Sequence, residues 1–217
     1  MPRNAPRSAE EIQAAIQERL ETIRSWGLTK EDLETLIAEN PHVYSPVSGF
    51  HAEYKCRQLC LNIPEISDIS RPSGYDKKEK GDFVFSYRGE VLRLEVKSLD
   101  GPKVVRNDND RWQGTFQCNA SDARAVELPN GHTVTTNCIV AGGWDVLAVN
   151  LYDFGRQWRF AFAKQSDLPR ASTQYPDVDR KHLLASSMSI ELPLSAPFRD
   201  NLKSVLDEII RTRRKRS

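Results

Sequence analysis

The stretch Gly81-Asp82-Phe83-Val84-Phe85-Ser86-Tyr87-Arg88-Gly89-Glu90-Val91-Leu92-Arg93-Leu94-Glu95-Val96-Lys97-Ser98 decides how the rest of the chain is read. Phe83, Phe85 and Tyr87 alternate along one run and Leu92, Leu94 and Val96 along the next. Arg88-Gly89-Glu90 stands between them, so the pattern predicts a β-hairpin. Side chains two apart on a strand share a face, which puts Glu95 and Lys97 together, opposite Leu94 and Val96. Asp82 stands where the first strand begins, and the turn returns it beside the end of the second. Two carboxylates and an ammonium then converge at one end of a hairpin whose other face is apolar, the outline of a metal site.

Glu-x-Lys on a strand is also how an exposed ion pair is written, and such pairs contribute little. Asp82 at the matching hairpin separation, and Glu53 on an upstream helix, favour chemistry over that plainer reading. Two hard-oxygen ligands suit Mg²⁺, with Mn²⁺ as a substitute, better than zinc. An ion of that kind polarises a phosphodiester and activates a ligated water. Lys97 would stabilise charge on the phosphorus or orient that water.

Composition sets wide bounds. At 217 residues, 39% hydrophobic and 28% charged, the chain reads as one soluble domain able to bury a sizeable core. No apolar run approaches the ~20 residues of a membrane span and no signal-peptide core is visible, so a cytoplasmic protein is expected. Cys56, Cys60, Cys118 and Cys138 form no CxxC pair, which favours reduced thiols over a zinc site. A phosphate-cradling glycine loop and a nucleophile elbow are both missing. The formal net charge of +1 selects no partner. The terminal run Arg211-Thr212-Arg213-Arg214-Lys215-Arg216 reads either as a polyanion contact or as a solvated helix end.

Taken in order, Ser8 caps a helix whose Ile12, Ile16, Leu20 and Ile23 recur at helical spacing up to Gly27. A second helix follows from Thr29 to before Pro41. Together they make an N-terminal helical extension over residues 1–45, for dimerisation, DNA clamping or plain packing. After a loop at Pro41–Pro46, a third helix from about Phe50 to Asn62 carries Glu53. Pro64–Lys80 reads as a polar loop ending in Lys77-Lys78-Glu79-Lys80. Beyond the hairpin, Leu99–Gly114 is polar, and Asn119 or Ser121 caps a short helix in the cluster Thr115–Arg124. Strands are expected at His132–Val140, Trp144–Leu151, Trp158–Ala163 and Met188–Leu192, the second of them apolar on both faces and so central. A short helix is expected near Asp177–Ala185, and Pro197 opens a final one. The order predicts an α/β fold with a central mixed β-sheet flanked by helices. It is read as a single domain with a catalytic core over residues 49–165 and a C-terminal strand and helix over 166–217.

With Asp82 as first acid, Glu95 as second and Lys97 as the lysine, the chain resembles the PD-(D/E)xK nuclease superfamily over roughly Gly49 to Phe162. Glu53 looks like the extra acid that some members place on the first core helix, and Trp144–Leu151 like the core strand that follows a helix. Gly81 stands where a proline would give the superfamily its name. The resemblance implies a restriction-endonuclease-like core, Mg²⁺ held by Asp82 and Glu95, and hydrolysis of phosphodiester bonds. Within the superfamily the chain looks most like a type II restriction endonuclease, a homodimer cutting double-stranded DNA. Gln117 is then expected beside the active site. Asn119, Asp122 and Arg124 are expected against substrate, with Lys103, Arg106 and Arg111 on phosphates. A repair, recombination or modification-dependent nuclease, or a non-catalytic DNA-binding protein of the same fold, are the competing readings.

Overall fold

The computed structural model describes residues 9–72, 80–172 and 174–215. Its elements run α1 (Ala9–Ser25), α2 (Lys30–Glu39), α3 (Pro41–Cys60), β1 (Ile66–Ser70), β2 (Phe83–Tyr87), β3 (Glu90–Ser98), β4 (Val105–Arg106), β5 (Trp112–Gln117) and β6 (Asn119–Glu127). They continue with β7 (Thr133–Cys138), β8 (Val146–Asn150), β9 (Phe160–Lys164), α4 (Asp177–Arg180), β10 (Ser187–Leu192) and α5 (Leu202–Arg214). The chain divides into two compact units, Met1–Ser48 and Gly49–Ser217.

The first unit is helical and has no buried side chain among its described residues. Ile16, Leu20 and Ile23 stay 41–47% exposed. Local terms shape these helices. Thr29 and Asp32 close a reciprocal capping box at the start of α2, and Lys30 pairs with Glu34 one turn on. The loop expected at Pro41–Pro46 is helical instead. Pro41 occupies the first position of α3, where no N–H is needed, and Pro46 is accommodated inside the helix. The Ser8 cap falls outside the described residues.

The second unit is mixed α/β. Its central sheet has the order β1-β2-β3-β8-β9, with β3 and β8 parallel and the other neighbours antiparallel. The hairpin forms as expected. Tyr87 pairs with Glu90 across Arg88 and Gly89, both at positive φ (50° and 85°), the conformation a two-residue hairpin turn favours. One sheet face, with Phe83, Phe85, Leu92, Leu94, Val96, Val146 and Ala148, packs under α3 and under Val205, Leu206 and Ile209 of α5. The other face, with Leu147, Val149, Ala161 and Ala163, packs against Phe116, Met188 and Ile190 of a second sheet ordered β10-β5-β4 and against Cys118 just beyond β5. β8 is buried along its whole length, as its uninterrupted apolar run requires.

Three expectations are corrected. Residues 115–124 form strands, not a short helix. From Gly114 through Phe116 to Cys118 every second residue is buried, a period of two, and the polar side chains take the other face. The stretch 64–80 is not all loop. Ile66 and Ile69 pack against the core, and Ile66, Ser67 and Ser70 pair β1 with β2, but a register shift between Ser67 and Ser70, with Asp68 at φ 55°, breaks the alternation a strand would show. Lys77, Lys78 and Glu79 fall outside the described residues. Pro197 does not open the last helix. Arg199 exchanges backbone hydrogen bonds with Phe162 (2.7 and 2.9 Å), and α5 begins only at Leu202, where Asn201 accepts the Ser204 N–H at 2.9 Å.

Candidate active site

Gly81 sets the position of Asp82. It adopts φ +85°, a left-handed conformation that a proline ring, locked near −65°, cannot take. A Cβ added there would stand 3.2 Å from the Leu94 carbonyl oxygen. The Asp82 N–H donates to that same oxygen at 2.8 Å, seating the residue against β3 one step before β2 begins. From there the Asp82 Oδ2 accepts the Val96 N–H at 2.7 Å. The first acid is thus fixed by backbone, opposite the peptide that joins Glu95 to Lys97.

Glu95 and Lys97 share a β3 face, as the alternation required, and Lys97 Nζ donates to Glu95 Oε1 at 2.5 Å. Both are mostly withdrawn from water, with 14% and 23% of their side chains exposed. Burial, then the Glu95 charge, pushes the Asp82 carboxyl up to about 6, against weaker opposing effects of the Val96 N–H, Lys97 and Arg71. For Lys97, burial works to lower the pKa. The Glu95 charge, its hydrogen bond and Asp82 together outweigh burial, and the net shift is upward. Its two carboxylate neighbours therefore favour the charged form of Lys97.

Glu53 lies on α3, mostly buried, and is ion-paired with Arg71, the residue that follows β1. Arg71 is near enough to Asp82 to lower its pKa. Cys56, one turn on from Glu53, feels the Asp82 charge as well; its thiol is pushed up first by a hydrogen bond with Cys60 and then by burial. The α3 face bearing Glu53 and Cys56 therefore borders the site.

Gln117 is exposed at the end of β5, whereas its neighbour Cys118 is buried and within electrostatic reach of both Lys97 and Glu95. Burial above all pushes the Cys118 thiol up to about 11, so it stays protonated. The parity of Phe116, Gln117 and Cys118 is the signal that separates the two. Arg71 carries no such signal. Only the Ser70–Val84 pairing of β1 with β2 brings it alongside Phe83.

The outlying candidates are dispersed. Asn119 is half-buried and pairs with Cys138, while Asp122 and Arg124 are exposed on β6. Lys103 pairs with Asp100 at 2.7 Å, Arg106 pairs with Asp110 at 2.8 Å and lies over the Trp112 ring, and Arg111 is exposed. In the basic terminal run, Arg213 binds Asp145 (2.6 Å), whose other oxygen accepts the Arg93 N–H at 2.8 Å. That cation is a structural tie.

Among the described residues, no group of three or more His, Cys, Asp or Glu side chains is arranged to hold a metal ion. The donor set at the hairpin is two carboxylates of hard oxygen character. It is short for zinc and sufficient for Mg²⁺, which commonly takes one or two carboxylates and completes its shell with water and substrate oxygens. Burial raises Asp82 most, and the Glu95 repulsion that adds to it is what a dication would relieve. No described helix is long and apolar enough to cross a membrane. Comparison with protein-family models, with curated proteins and with solved structures gives no match to this chain.

Proposed function

We propose that the chain is a Mg²⁺-dependent endonuclease of the PD-(D/E)xK kind, with a restriction-endonuclease-like core, hydrolysing phosphodiester bonds of double-stranded DNA in the manner of a type II restriction enzyme. The observation that carries this reading is the convergence of Asp82, Glu95 and Lys97 on one corner of the central sheet. Asp82 is held there by the Val96 N–H and Lys97 by Glu95. Asp82 and Glu95 are the residues that would hold Mg²⁺, and Mn²⁺ by the same chemistry; when bound, such an ion activates water and polarises the phosphate. Lys97, protonated and partly buried, supplies positive charge where negative charge develops on the phosphorus. Glu53 adds a third acid near the site, masked by Arg71. Chain crossover between β3 and β8 runs through strands, not the helix that the resemblance implies, and that departure leaves the hairpin itself untouched.

Cutting both strands calls for two such sites, which a homodimer provides. The test is supercoiled plasmid with Mg²⁺, unmethylated and methylated side by side, against Asp82→Ala and Glu95→Ala. Discrete fragments from unmethylated DNA, lost in both variants while folding is kept, support the reading. Fragments from methylated DNA alone point to a modification-dependent enzyme, and undiminished cutting by either variant refutes the site.

A further inference from the structure

Arg71 is a cation with an unusual setting. Its guanidinium lies 5.8 Å from the centre of the Phe50 ring and 5.6 Å from that of Phe83, the residue next to Asp82. Its charge reaches the Asp82 carboxyl. Among the described residues it is ion-paired with Glu53, whose side chain is 14% exposed while that of Arg71 is 46% exposed. The pair is therefore asymmetric, with a buried acid below and an accessible guanidinium above, at the rim of the proposed catalytic corner. Lys97, the other cation in the site, is already committed to Glu95.

We propose that Arg71 is a substrate-binding residue that grips a DNA phosphate, with Glu53 paired to it until a phosphodiester takes the carboxylate's place. The inference rests on the nuclease reading of the same site. A guanidinium presents the same planar pair of donors to a carboxylate and to a phosphate, so the exchange needs no change of geometry at the arginine. The two aromatic rings hold the guanidinium in place while its partner changes, limiting the ordering cost of binding.

Exchange and a merely structural tether predict opposite patterns. If Glu53 and substrate compete for Arg71, removing the acid frees the cation and removing the cation loses a phosphate contact. If the pair only fastens β1 to α3, both changes loosen the site in the same direction. The experiment is fluorescence anisotropy of a pool of short random-sequence DNA duplexes in EDTA, across a salt series, with circular dichroism confirming that each variant is folded. Arg71→Ala should weaken binding about fivefold to tenfold and lower the slope of log K against log salt by about 0.9, one phosphate's worth. Arg71→Lys should recover part of the affinity, and Glu53→Gln should tighten binding about threefold or more. Wild type that binds duplex, with Glu53→Gln weakened alongside Arg71→Ala or with an unchanged salt slope, overturns the exchange and leaves the nuclease reading standing. Wild type that binds no duplex at any salt overturns both.

Discussion

Replacing Asp82 by Asn should make the metal-free protein more stable while removing the proposed nuclease activity. Burial and the Glu95 charge hold the Asp82 carboxyl at about 6, against 3.8 for the same group in the unfolded chain. The folded state therefore binds this proton more tightly. Between pH 3.8 and about 6 it carries more protons than the unfolded state, so stability falls as pH rises through that window and stays reduced above it. A gap of about two pKa units corresponds to about 3 kcal/mol at pH 8. Asn keeps the oxygen that accepts the Val96 N–H and discards the charge. Urea denaturation in EDTA should thus show Asp82→Asn more stable than wild type by about 2–3 kcal/mol at pH 8, with the difference vanishing near pH 4. Mg²⁺ should close the gap. An ion bound only by the folded state at 100 times its Kd adds about 2.7 kcal/mol to wild type, and the variant, lacking one ligand, should gain little. An Asp82→Asn protein less stable than wild type at pH 8 in EDTA, or a pH-independent difference between them, would refute the electrostatic account of this corner.

Other outcomes follow from individual contacts. Gly81→Pro should cost about 3 kcal/mol or more by thermal melt, because proline cannot take φ +85°, and cleavage should fall with the displaced Asp82; Gly81→Ala should do so more mildly, by about 1–2 kcal/mol. Lys97→Met should lower kcat by about a hundredfold or more with duplex binding retained, since it removes the positive charge while leaving both carboxylates in the chain, Glu95 without its ammonium partner; a rate that instead follows a pH titration of Lys97 would show it acting as a base. Tyr87→Phe should cost about 1.5–3 kcal/mol in urea melts through loss of the 2.6 Å bond to Asp207 on α5, with kcat unchanged.

The hairpin was legible because strand grammar has period two and leaves little choice. Alternation alone put Glu95 and Lys97 on one face, and the two-residue turn fixed Asp82 beside Val96. Where the period was disturbed, the reading failed. β1 hides behind a register shift at Ser67–Ser70, and residues 115–124 looked like a capped helix because their polar side chains are the outward half of a strand pattern. Arg71 belongs to a different class of omission. Its place depends on which residue of β2 a bulged edge strand faces, a long-range register that local spacing does not carry.

Gly81 shows how a mismatch at one position turns into information once the backbone is known. By sequence, a glycine before the first acid only blurs a motif. By structure, the chain enters β2 through a left-handed residue pressed against the Leu94 carbonyl, and the following N–H donates to that carbonyl. Proline would forfeit the conformation, and any side chain would crowd the oxygen that anchors Asp82. Two local solutions then exist for presenting an acid at the head of a hairpin, one that stiffens the preceding residue and one that needs it unencumbered. Here the second holds. Fidelity of the Asp82 position is supplied by hydrogen bonds to β3, so perturbing Leu94–Val96 backbone pairing should move the acid as surely as changing residue 81.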